Sequence, residues 1–194
     1  MLAGMRDTGR MPAIAPPTLS DGVIALRPAR DSDVPAIVAA CADPEISRWT
    51  RVPQPYTPED ARGFLAAAAT EAAQGAGVAL VVVGADDDRL IGTVGLMDVD
   101  RAAGRGEIGY WIAAGERGRG AATRAVVLLR DWAHRALGLT RIEVLPHRDN
   151  APSNRVAVRA GFADTGALVR VPRMPPDRRE GYRVYEWRPP DSAE

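Results

Sequence analysis

The stretch GERGRGAATR, residues 115–124, follows a strand-like run, EIGYWIA (107–113), and precedes a long alanine-rich helical pattern. Two glycines stand among three arginines at the point where a helix must begin. A helix N-terminus offers unpaired N–H groups and the positive end of a dipole, so the junction suits an anion. Gly118 and Gly120 let the backbone approach a ligand closely and adopt angles that other residues avoid. Taken alone, the stretch fits a solvated strand-to-helix turn equally well.

The elements around this turn define the fold class. VIALRPA (23–29) predicts a first strand, and Asp31, Ser32 and Asp33 offer caps for a helix through residue 43. PEISRWTRVPQPY (44–56) reads as irregular. A second helix starts at Thr57, where Thr57-Pro58-Glu59-Asp60 sets a cap, a proline at the first helical position and acids in the first turn; it runs to about Gln74. VALVVV (78–83), LIGTVGLMDV (90–99) and GRGEIGYWIA (104–113) form an antiparallel run. After the glycine-arginine turn, a helix places Ala122, Ala125, Val126, Leu129, Ala133 and Ala136 on one face and ends at Gly138. RIEVLP (141–146) is a strand and SNRVAVRA (153–160) a short helix. Two late strands, about 166–172 and 181–188, flank PRMPPDRRE. The sum is an α+β fold, with about seven strands in a mixed, mostly antiparallel sheet and about four helices. Residues 1–20 are expected to be a flexible extension without a signal-peptide core, and 21–190 a single domain.

Two anion-binding turns are excluded by residue. A Walker-type loop requires lysine and then serine or threonine after its last glycine, but Ala121 and Ala122 follow Gly120. A dinucleotide fingerprint requires a third glycine, and Thr123 stands there. Arg117-x-x-Gly120-x-Ala122 does match the Arg/Gln-x-x-Gly-x-Gly/Ala form of the GNAT superfamily of acyl-CoA-dependent N-acetyltransferases. The chain resembles that superfamily from about residue 20 to 188, and most of all its ribosomal-protein N-terminal acetyltransferase-like branch. The resemblance is carried by ISRWTRVPQPYTPEDARGFL (46–65), EIGYWI (107–112), RGRGAATRAV (117–126) and NAPSNRVAVRAGF (150–162), in order and at matching separations.

The resemblance implies a sheet splayed at a cofactor cleft and acetyl-CoA as co-substrate. The pyrophosphate would rest on backbone N–H groups of Gly118, Arg119, Gly120, Ala121, Ala122 and Thr123, with charge from Arg117 and Arg119. Asn150 matches an asparagine that hydrogen-bonds the pantetheine arm. Glu107 matches a position where many relatives hold a carboxylate that works as base through water; a solvated strand-end acid is the plainer alternative. A backbone N–H near Ile112 or Ala113 would steady the oxyanion. Many relatives place a tyrosine four residues before a Gly-Phe pair; here Gly161-Phe162 is present but that position is Ala157. Ser153 stands where the branch has a serine thought to serve the sulfur, and it is also an ordinary helix N-cap. Trp49, Pro53 and Tyr56 fall in the segment lining the acceptor side. Tyr110 and Trp111 must point to opposite faces of their strand. Arg178, Arg179 and Glu180 in the late loop touch substrate or are solvated.

Bulk composition narrows the classes further. The chain has 194 residues, 46% hydrophobic and 26% charged, with a formal net charge of +0. No global field points to nucleic acid, and no apolar run reaches membrane-spanning length. One cysteine, Cys41, rules out an internal disulfide and fits a reducing cytoplasm; it reads as a small buried apolar residue. His134 and His147 stand apart, so no metal site is expected. The expectation is an N-acetyltransferase acting on a peptide N-terminus or a small-molecule amine, as monomer or homodimer. The alternative is a non-catalytic acyl-CoA-binding module.

Overall fold

Alternation along one strand, Val78–Gly84, organises the core. Val78, Leu80 and Val82 face one side and Val81 and Val83 the other, all essentially buried. A strand apolar on both faces must lie between two layers. In the computed structural model, which describes residues 12–190, one layer is a single long helix and the other a short helix beside an equally long one.

The strands are β1 (Leu19–Ser20), β2 (Ile24–Arg27), β3 (Val78–Gly84), β4 (Leu90–Asp100), β5 (Arg105–Ile112), β6 (Arg141–Val144), β7 (Ala163–Val169) and β8 (Tyr182–Trp187). They form one sheet in the order β1-β2-β3-β4-β5-β6-β8-β7. All neighbours are antiparallel except β5 and β6. The helices are α1 (Val34–Cys41), α2 (Pro44–Trp49), α3 (Pro58–Gln74), α4 (Ala121–Leu137) and α5 (Ala151–Arg159). None is long and apolar enough to cross a membrane among the described residues.

α4 lies on one face, where Ala121, Ala125, Val126, Leu129 and Ala133 join the cluster of Leu26, Leu80, Leu96, Ile108 and Ile142. Ala122 is half-buried and Ala136 exposed, so the buried stripe is rotated from the expected one toward Ala121. On the opposite face, Val34, Ile37 and Cys41 of α1 and Ala61 of α3 pack on Val81 and Val83. Cys41 is 1% exposed, as expected for a small apolar residue.

α3 begins as its sequence demands. Thr57 Oγ1 accepts from the Asp60 N–H, the Asp60 carboxylate accepts from the Thr57 N–H, and Gly75 closes the helix at φ 72°. Three local readings are corrected. The stretch read as irregular contains α2, because Asp43 Oδ1 caps the Glu45 N–H and Pro44 follows at the first position. α5 begins at Ala151, not Ser153: Asn150 is its N-cap, and its Oδ1 accepts from the Ser153 N–H at 3.2 Å. β1 adds an eighth strand to the expected seven. Residues 1–11 of the expected extension lie outside the described residues, but Ile14 is 3% exposed and donates its N–H to Ala72 at 2.8 Å. Ala15, Pro16 and Thr18, which follow it, are exposed.

Candidate active site

The parallel pair holds for three residues only: Arg105 with Arg141, Gly106 with Ile142 and Glu107 with Glu143. Beyond them β5 continues to Ile112, paired with β4 alone, while β6 ends at Val144 and the chain turns into α5. The sheet therefore parts past Glu107. A cleft of about 980 Å³ opens there, running from the turn before α4, along Glu107–Ile112, to α2, α3 and the loop between β7 and β8.

At one end lies the glycine-arginine turn. Gly118 and Gly120 have φ of 79° and 83°, the left-handed region that a side chain disfavours. A Cβ at either would meet open space rather than protein, so the backbone itself, not neighbouring packing, demands glycine. Gly120 is the N-cap of α4, and the Arg124 N–H is the first to reach back, to the Gly120 carbonyl at 3.1 Å. The N–H groups of Ala121, Ala122 and Thr123 thus begin the helix without intrahelical acceptors, and all three residues line the cleft. Arg119 is exposed and lies 3.6 Å from Glu116. Arg117 turns elsewhere: Nε donates to the Ile112 carbonyl at 3.0 Å, and Nη2 pairs with Asp43 Oδ2 at 2.6 Å. That carboxyl is held below the ordinary aspartate range by the Glu45 N–H and by Arg117.

β5 aims its N–H groups by alternation. The Ala113 N–H donates to the Ile91 carbonyl of β4 at 2.9 Å. Its neighbour in the strand, Ile112, therefore directs its N–H to the opposite edge, toward the gap. Of the two residues expected to supply an oxyanion donor, Ile112 has the orientation for it and Ala113 is engaged.

Glu107 stands where the strands part. It is 8% exposed, which corrects the reading of a solvated strand-end acid. Burial pushes its carboxyl up, Arg173 pulls it down, and Asp98 and Glu143 push it up again; the net direction is upward from the ordinary glutamate range. Arg173 Nη2 donates to Glu107 Oε1. Sequence reasoning passed over Arg173, which lies 66 residues away in the late loop.

Across the gap, Tyr110 and Ser153 share a hydrogen bond of 2.7 Å between their hydroxyls. Burial pushes the Tyr110 phenol up to about 12. The residue four before Gly161-Phe162, Ala157, is fully buried. A tyrosine nevertheless reaches Ser153, from β5 rather than α5. Tyr110 packs toward the α4-side core and Trp111 toward the α1–α3 side, as strand alternation requires.

The far end is closed by α2, α3 and the late loop. Trp49 lies 5.6 Å from the His147 ring, which meets Tyr182 edge-on at 5.4 Å. Pro53 and Tyr56 line the same end. Arg178 donates to the Ser47 and Arg48 carbonyls at the end of α2, tying the late loop to it. Arg179 donates to the Met174 carbonyl at 2.8 Å, and exposed Glu180 pairs with Arg170 at 3.1 Å. His134 bonds the Leu139 carbonyl at 2.9 Å beside Trp187, away from the cleft. Among the described residues, no group of three or more His, Cys, Asp or Glu is arranged to hold a metal ion.

Comparison with known proteins matches the sequence to a family and the fold to a solved structure. A family model described as an acetyltransferase (GNAT) domain matches residues 24–163. An uncharacterized N-acetyltransferase of Bacillus subtilis, YoaA, is 29% identical over 152 residues, covering 78% of this chain and 86% of that protein. The ribosomal-protein-serine acetyltransferase of Escherichia coli is 32% identical over 82 residues, 42% of this chain and 46% of that protein. The solved structure of Mycobacterium smegmatis RimJ, in complex with CoA-disulfide, superposes with a TM-score of 0.81 at 23% identity, covering 92% of this chain and 90% of that one.

Proposed function

The chain belongs to the GNAT acetyltransferase family, and on that premise we propose that it moves an acetyl group from acetyl-CoA to a primary amine by direct attack on the thioester. The observation that carries this reading is the confluence of three features in one cleft: the glycine turn, the buried carboxyl of Glu107 and the Tyr110–Ser153 hydroxyl pair.

The co-substrate's pyrophosphate is assigned to the N–H groups of Gly118 to Thr123, with Arg119 as the adjoining cation. Arg117 braces the turn through Asp43. The open backbone over both glycines supports this, since an anion must sit close to the chain there. Asn150 fixes the start of α5 and, through its cap, the position of Ser153.

Glu107 takes a proton from the acceptor ammonium. The freed amine attacks the thioester carbonyl, and the oxyanion faces the Ile112 N–H. As the carbon–sulfur bond breaks, Ser153 gives its hydroxyl proton to the thiolate and recovers one from Tyr110 or water. The second amine proton leaves to solvent, Glu107 then releases the first, and solvent returns one to the Tyr110–Ser153 pair, so the turnover yields an amide, the free thiol and one net proton. A carboxyl raised above its ordinary range is a better base near neutral pH.

The acceptor class proposed is a peptide N-terminus or a small-molecule amine. Similarity to acetyltransferases named for ribosomal proteins puts ribosomal-protein N-terminal peptides first among candidates. The deciding experiment measures CoA release against a panel of such peptides, amino sugars and polyamines, with mass spectrometry of each product. An acetylated amine is the expected result; tight acetyl-CoA binding with no product on any acceptor would overturn the catalytic reading in favour of a binding module.

A further inference from the structure

Glu107 has a cation on it that the transfer chemistry does not use. Arg173, in the loop between β7 and β8, places Nη2 against Glu107 Oε1 and Nη1 3.4 Å from Asp98 Oδ2. One guanidinium spans two carboxylates of unequal setting. The Glu107 side chain is 11% exposed and that of Asp98 72%. Asp98 follows Met97, the β4 partner of Glu107, where the β4–β5 register shifts. Its φ is 50°, a left-handed backbone that non-glycine residues adopt infrequently. The irregularity in β4 thus sets a second acid beside the first, within reach of the same arginine.

A carboxylate held by a guanidinium is not free to take a proton from an amine. An ammonium entering the cleft brings one positive charge to a carboxylate that already has one. Resting on the reading of Glu107 as the base, we propose that Arg173 is a positioning residue with two stations: it holds Glu107 until the acceptor ammonium displaces it, and then rests on Asp98. The exchange keeps one cation on Glu107 throughout, so a buried carboxylate is never left bare, which would be strongly unfavourable. Arg173 moves to an exposed carboxylate, where solvent shares the charge. An uncharged acceptor offers nothing in exchange and leaves the base occupied. The device therefore selects acceptors that arrive as ammonium ions.

The charged groups acting on Glu107 are Arg173 from the late loop, Asp98 from β4 and Glu143 from β6. The test uses the full chain as wild type, Arg173→Gln, Arg173→Lys and Asp98→Asn; asparagine tolerates the left-handed backbone. Carbon-13 labelling of glutamate carboxyls, assigned with Glu107→Gln, follows the titration of Glu107 with and without n-butylammonium chloride and needs no turnover. Glu107 should titrate higher in Arg173→Gln than in wild type. Butylammonium should bring it back down in that variant, and leave wild type and Arg173→Lys nearly unchanged because one cation replaces another. Unaltered titration in Arg173→Gln, or no response of that variant to butylammonium, would overturn the proposal.

Kinetics supply an independent arm with the best amine of the acceptor panel. KM for the amine should fall about two- to fivefold in Arg173→Gln, the scale of one partly exposed ion pair, and rise in Asp98→Asn. A merely structural arginine would give the opposite sign in Arg173→Gln, with earlier melting. If wild type acetylates no amine, the acetyltransferase reading fails, while the titration still decides the role of Arg173.

Discussion

The hydroxyls of Tyr110 and Ser153 meet at 2.7 Å across the gap where β5 leaves β6. One belongs to a strand and the other to the first turn of α5, and Ser153 is held there by the Asn150 side chain rather than acting as the cap itself. Capping and the proton donation proposed for Ser153 therefore fall on different residues and separate by mutation. Asn150→Ala should cost about 1 kcal/mol of stability, read as an earlier thermal transition. Ser153→Ala should melt close to wild type yet turn over about 10²-fold more slowly. Tyr110→Phe should lose about threefold to tenfold, the worth of one hydrogen bond to the proton donor. Normal turnover in Ser153→Ala would remove Ser153 as the acid.

Gly120→Glu should abolish acetyl-CoA binding with the fold intact by circular dichroism. Its φ of 83° disfavours any side chain, and the introduced carboxylate lies where the phosphates are assigned. Gly120→Ala should weaken binding less, because backbone conformation alone is perturbed. Calorimetric titration with acetyl-CoA distinguishes the two; equal affinity in all three proteins would refute the anion turn.

Glu107 has its carboxyl raised by burial, a direction that Arg173 only partly offsets. Below that pKa the group is protonated and accepts no proton from the amine. The acidic limb of kcat/KM should therefore lie above the ordinary glutamate pKa of about 4.3. Glu107→Gln should erase that limb and lower turnover by about 10²-fold or more, with acetyl-CoA affinity retained. A pH–rate profile identical to wild type would assign Glu107 a structural role.

Away from the cleft, Arg27 grips Asp33 through two bonds of 2.8 and 2.9 Å, with side chains 7% and 10% exposed. Burial opposes ionisation of Asp33, but bonds from Arg27 and the Arg30 N–H outweigh it and hold its carboxyl below the aspartate range. A depressed folded pKa gives stability that is present above the unfolded value, about 3.9, and is lost as pH falls through the folded one. Asp33→Ala should lose about 3 kcal/mol near neutrality, the low end for a buried pair because Asp88 still bonds Arg27 at 2.7 Å. Its stability should also decline less steeply on acidification. Urea melts across the acid range provide the check.

Elements with local signals were legible in the sequence. Thr57 and Asp60 announce α3 through contacts three residues apart, and Gly118 and Gly120, lacking a Cβ, permit the left-handed angles that the turn before α4 adopts. α2 carries a comparable signal, Asp43-Pro44-Glu45, but its six residues are too few to show helical periodicity. Ser153 and Asn150 are both competent caps; Pro152 at the second helical position places the start of the helix earlier than Ser153. β1 is a strand only because Leu19 and Ser20 meet Leu26 and Ala25, a pairing that two residues cannot advertise. Arg173 was illegible for a different reason. Its partner is brought to it by the whole sheet, and nothing in VPRMPPDRRE separates it from the arginines that bond loop and helix carbonyls.

The three-residue join between β5 and β6 also has a mechanical meaning. Five strands lie on one side of it and three on the other, so two plates meet at a narrow weld, with α4 packed on the five-strand plate and against α5. Bending at such a weld opens or narrows the gap with little disturbance within either plate. A molecule laid along the free edge of β5 then acts as a splint, and its departure returns the plates their relative motion. Backbone amides at Tyr110 and Ile112, on the unsplinted edge, would register that difference in hydrogen exchange far more than those of β3, buried in the middle of its plate.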